Sequence, residues 1–63
     1  MPWSEDYYPP AMERLDPSVR RKAIEIANAL LDDECDEGFA IRVAITRARE
    51  WAWRRRLASL PPG

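Results

Sequence analysis

Histidine is absent from this 63-residue sequence, cysteine occurs once and glycine twice. Without histidine the chain lacks the side chain that most often moves protons or binds transition metals near neutral pH. The lone Cys35 can form no internal disulfide and has no second sulfur or imidazole with which to build a zinc site. It sits among acidic residues and reads as an inert near-surface thiol in a reducing compartment. With only Gly38 and Gly63 there is no glycine-rich phosphate loop, and no hydroxyl or thiol is spaced with a base as a nucleophile would be. The sequence thus predicts a protein that is not an enzyme and needs no cofactor. No apolar run approaches the ~20 residues that span a bilayer. The opening Met1-Pro2-Trp3-Ser4-Glu5-Asp6 is too polar for a secretory leader. The expected location is the cytoplasm.

Charge is plentiful but unevenly placed. Residues 1–41 carry four basic and ten acidic side chains, whereas residues 42–63 carry six arginines and only Glu50 as an acid. The formal net charge of -1 therefore conceals a strong dipole. Such a distribution favours head-to-tail self-association or docking onto a charged partner. Sixty-three residues can enclose only a thin core, so the chain is expected to form one small helical domain.

Three segments follow from local chemistry. Residues 1–15 form an arm, because Pro2, Pro9 and Pro10 allow at most one helical turn running to Leu15. Its Trp3, Tyr7, Tyr8, Met12 and Leu15 are too apolar for a free tail and are expected to close the core. Asp16-Pro17 is a helix start, with Asp at the N-cap and Pro at the first helical position. From there Val19, Ala23, Ile26 and Leu30, widened by Ile24, Ala27 and Leu31, give an apolar stripe of roughly 160° at about 100° per residue. Arg21, Lys22, Glu25, Asn28 and Asp32 fall on the other face, with Arg21–Glu25 spaced for an ion pair. The run Asp32-Asp33-Glu34-Cys35-Asp36-Glu37 must be a solvated turn, since five of its six residues are carboxylates.

Asp36 caps the second helix, whose inward face is Ala40, Ile41, Ala44, Ile45, Ala48, Trp51 and Ala52. The fold expected is all-α: a two-helix antiparallel hairpin, with helices over about 17–32 and 37–58, completed by the arm. Residues 16–58 are then the hairpin and 59–63 a tail stopped by Pro61-Pro62. The second helix overhangs the first by roughly six residues, about 9 Å.

VRRKAIEIANALL over 19–31, DEG at 36–38, AI at 40–41 and REWA at 49–52 form one pattern. With Met1-Pro2-Trp3 and Tyr8-Pro9-Pro10, it resembles the YdaT-like family of short uncharacterised bacterial proteins. The resemblance covers roughly residues 1–53. It implies a small helical fold and brings no functional residues with it. A fainter similarity, in the Pro-rich arm and alanine-rich helix, links the chain to ChaB-like proteins. Relatives tend to carry a Gly-aromatic pair where Glu34-Cys35 stands, and a basic residue in place of Phe39. A glycine at position 34 would suit a left-handed helix C-cap, so Glu34 leaves the tightness of the turn open.

The acidic turn is the first candidate site, but it fails as a calcium loop because its sixth residue is Glu37 rather than glycine. No metal site is expected. The sharper candidate is the basic end, with Arg42, Arg49, Trp53, Arg54, Arg55 and Arg56 as its interaction residues. On a helical wheel Phe39, Arg42, Arg49, Trp53, Arg56 and Leu57 point away from the core stripe. Two arrangements compete. In the favoured one, the arm's Trp3 and tyrosines cover Trp53 and Leu57, because so small a domain can hardly spare that apolar area. In the other these residues are exposed and form a docking surface. Its first expected partner is a protein, including a second copy in a homodimer that pairs acidic turn with arginines. Nucleic acid follows, through phosphate pairing and ring stacking, and a membrane surface comes last. A helix-turn-helix mode fails, since it would present Asp36 and Glu37 to phosphates.

Overall fold

The structure is a computed structural model and describes residues 2–59. Three elements follow one another: a single 3-10 turn η1 (Pro10–Met12), helix α1 (Pro17–Asp32) and helix α2 (Glu37–Ser59). The helices pack against each other as an antiparallel hairpin whose longer arm, the 23 residues of α2, spans about 35 Å at 1.5 Å per residue. No strand occurs among the described residues, and an isolated antiparallel bridge between Ser4 and Tyr7 folds the start of the arm into a tight turn. The all-α hairpin expected from the sequence is what the chain forms. Met1, and residues 60–63 with the Pro61-Pro62 stop, lie outside the described residues.

Both helices begin where their caps predict, though by different means. Asp36 Oδ2 accepts the backbone N–H of Phe39 at 3.2 Å, satisfying an otherwise orphaned donor in the first turn of α2. Asp16 occupies the N-cap of α1, but its side chain makes no capping hydrogen bond. Proline at the next position, with its preset φ, is the surviving start signal.

The connection between the helices is tight. Glu34 has φ 64°, the one positive value at a non-glycine residue among the described residues. Around it Glu34 N–H donates to Leu31 O at 2.9 Å and Cys35 N–H to Leu30 O at 3.1 Å. This pair of reversed bonds is the Schellman closure, usually built on glycine. The chain keeps the left-handed cap that a glycine would suit, and Glu34 carries the backbone strain.

Small residues set the helix contact. Ala23 and Ala27 of α1 and Ala40, Ala44 and Ala48 of α2 are fully buried. Recurring every fourth residue, they leave no bulky side chain between the two backbones along the seam. Ile41 and Ile45 pack against this seam half-buried, while Trp51 and Ala52, expected on the same inward face, are half-buried but stand outside the core cluster. The large core groups come from the arm: Trp3, Met12 and Leu15 join Ala23, Ile24, Ala27, Ala44 and Ala48 in one cluster, and Met12 is wholly enclosed.

Two polar side chains fasten the arm. Asn28 was expected on the solvent face of α1, but it is 3% exposed. Its amide exchanges two hydrogen bonds with the backbone of Trp3. Burial of an amide is tolerable when its polar atoms are satisfied, and here the arm supplies partners. Arg20 likewise gathers the exit of η1, donating to the carbonyls of Met12 (3.0 Å), Glu13 (2.6 Å) and Leu15 (2.9 Å), while its guanidinium lies over the Tyr8 ring. The expected Arg21–Glu25 pair does not form. Arg21 reaches Glu5 of the arm at 3.2 Å, and Glu25 meets Lys22 at 3.5 Å.

Candidate functional site

α1 has 16 residues and α2 has 23, and Arg55 of α2 lies near Ser18 and Arg21 at the start of α1, so the last turn of α2 runs on beyond α1. Every residue from Trp53 to Ser59 is exposed. Trp53 is 57% exposed and Leu57 48%, which overturns the favoured expectation that the arm would cover them. The physical reason is the arm's route. Asn28 pins Trp3 beside the later turns of α1, toward the acidic turn, so its aromatic group is spent on the seam near the middle of the hairpin.

The six basic and aromatic candidates are all exposed, but they do not form one patch. Arg42, Arg49, Trp53 and Arg56 share the outward face of α2 with Phe39 and Leu57. Arg54 turns to the flank and meets Glu50 at 3.9 Å. Arg55 turns back toward the hairpin and lies over the ring of Trp51 at 4.9 Å; Lys22 of α1 lies over the same ring at 5.5 Å. Trp51 is thus a half-buried plate touched by two cations beside the first two turns of α1. Rim cation–ring contacts of this kind are worth about 0.5–1 kcal/mol each. The sequence reading placed Trp51 in the core and did not anticipate Lys22 on it. The i,i+4 spacing of Trp51 and Arg55 was the available sign.

A second surface was not anticipated either. Between the arm and α1 runs a groove of about 450 Å³, with Trp3, Ile24 and Ala29 on its floor and Glu5, Glu25 and Asp32 along it. Asn28 holds the backbone of Trp3 against α1 and so sets one wall of the groove, with the small Ala29 beside it. A small residue exposed between two acids on a helix face is its faint mark in the sequence.

Nothing in the acidic turn converges. Among the described residues no three histidine, cysteine or carboxylate side chains are grouped so as to hold a metal ion. Cys35 is a free thiol of intermediate exposure, its backbone used in closing the turn. No described helix is long and apolar enough to cross a membrane.

No family model and no solved structure matches the chain. Among curated proteins it is 50% identical over 52 residues to the uncharacterised protein YdaT of Bacillus subtilis (strain 168). That match takes in 82% of this chain but 35% of the relative, so the chain spans about a third of that protein's length. Over this shared segment the chain is YdaT-like.

Proposed function

We propose that this chain is a non-enzymatic protein-interaction module of the cytoplasm whose docking end is the overhang of α2. The observation that carries the reading is the 57% exposure of Trp53 on a helix extension flanked by Arg54, Arg55 and Arg56. Retaining a large indole in water forgoes apolar burial that the thin core of this hairpin could use. Exposed tryptophan with arginine is the pairing that most often anchors a protein interface. The partner it fits is acidic, and a second copy meeting these arginines with its own carboxylates is one such partner.

The experiment is in-cell photo-crosslinking from a benzophenone side chain at Leu57. Discrete protein adducts that vanish when Trp53→Ala is combined with Arg54→Glu and Arg56→Glu support the module. An absence of protein adducts overturns it.

A second reading rests on a different observation. Arg42, Arg49 and Arg56 alternate with Phe39 and Trp53 on one face, the combination that pairs with phosphates and stacks on bases. It requires oligonucleotide binding that weakens steeply with salt and is lost in Trp53→Ala. Fluorescence anisotropy that stays flat at low salt, with both single- and double-stranded probes, removes it.

A further inference from the structure

We infer that the groove between the arm and α1 is the seat for the α2 overhang of a second copy of this chain. The inference rests on the docking reading above and supplies its partner. Each molecule then carries both halves of the contact, an arginine-rich knob with Trp53 and Leu57, and an acidic groove with an apolar floor.

Chemistry and size agree. The groove offers the carboxylates of Glu5, Glu25 and Asp32 around Trp3, Ile24 and Ala29. Arg21 neutralises one of these acids through its contact with Glu5, and Lys22 reaches Glu25 from the side. Both pairs are solvent-exposed and so are exchanged at small cost for an incoming arginine. Asp32 makes no ion pair among the described residues, and it continues into the acidic turn at Asp33 and Glu34. The knob, Trp53 to Ser59, brings three arginines and no acid. Along α1 the groove extends from Arg21 to Asp32, about 16 Å at 1.5 Å per residue, enough for the two exposed turns of the knob.

The occupant cannot be the same molecule's own knob. α2 is one uninterrupted helix, and its Trp53 and Leu57 stand exposed on the face turned away from the core, so they do not fold back into this groove. A reciprocal exchange, each knob in the other's groove, closes a two-fold dimer; a one-way exchange builds an open chain.

Sedimentation velocity at low salt tests this on the full chain. The parent is expected to associate with rising concentration and to dissociate as salt is raised. Glu25→Arg with Asp32→Arg should abolish association, and so should Arg54→Glu with Arg56→Glu. An equimolar mixture of the two variants should associate again. Far-UV circular dichroism reports whether each is folded. If a charge variant is not, Ala29→Gln decides, since a longer uncharged helix-forming side chain fills the groove floor and should weaken association at least tenfold. A monomeric parent, or association indifferent to Ala29→Gln or to the groove charges, overturns the inference. Protein adducts from Leu57 with a monomeric purified chain would overturn it while leaving the docking reading standing. A monomer without adducts removes both.

Discussion

The side-chain amide of Asn28 holds the backbone of Trp3 in both directions. Trp3 N–H donates to Oδ1 at 3.2 Å, and Nδ2 donates to the Trp3 carbonyl at 3.0 Å. Twenty-five residues apart in sequence, the two make what amounts to one rung of a β-ladder between a side chain and an extended arm. The pair does two things together. It lays the Trp3 ring over the alanine seam, and it walls one side of the groove on α1. Stability and candidate interface therefore share a single fastening.

Asn28→Ala should accordingly cost about 2–3 kcal/mol, because it leaves backbone groups of Trp3 without their buried partner. Chemical denaturation measures the loss. In a background with Trp51 and Trp53 changed to Phe, Trp3 emission should also shift to the red as the arm lifts. A loss below about 0.5 kcal/mol with unchanged emission would mean that the arm is held by apolar contact alone.

Arg20 makes the second fastening, and geometry more than charge is what matters there. Its planar fork serves three carbonyls at 2.6–3.0 Å from two nitrogens. Lysine, a point charge on a flexible stem, cannot span them. Arg20→Lys should lower stability by about 1 kcal/mol. Trypsin should also cut faster after Arg14, which follows the turn that Arg20 closes.

At the hairpin turn, Glu34 occupies a left-handed conformation that costs a side-chain-bearing residue roughly 1–2 kcal/mol. Glu34→Gly should relieve most of that and raise stability by about 1 kcal/mol, at some cost in unfolded-state entropy. The caps give a paired test in the same denaturation assay. Asp36→Ala removes an observed hydrogen bond and should cost about 1 kcal/mol. Asp16→Ala removes none and should cost less than half as much.

These residues also mark what could be read in advance. The helix limits were legible because Asp16-Pro17, the carboxylate run and Asp36 act within one turn of themselves. The alanine seam was legible because it repeats every fourth residue. Asn28 and Arg20 were not. Each bonds to backbone far from any periodic pattern, and on a wheel a polar residue beside a stripe reads as solvated. The missed fastenings carried the missed site with them. The arm's path fixes both the burial of Trp3 and the exposure of Trp53, and the contacts of Asn28 and Arg20 fix the path. The exposed candidates were still placed on the correct face, since the outward side of α2 follows from the same periodicity as its inward side.

Trp51 and Trp53 stand two residues apart on α2, and the fold gives them opposite duties. Trp51 is half-buried at the end of the seam with Lys22 and Arg55 over its ring, so Trp51→Ala should destabilise the chain by about 2–3 kcal/mol through lost area and ring contacts. Trp53 touches no core group, and Trp53→Ala should leave stability of the dilute monomer within about 0.5 kcal/mol of the parent. The same substitution should remove the protein adducts expected from Leu57. A matched pair of denaturation curves and crosslinking gels separates the two duties. Were Trp53→Ala to destabilise as much as Trp51→Ala, Trp53 would be a packing residue and the overhang would lose its standing as a docking end.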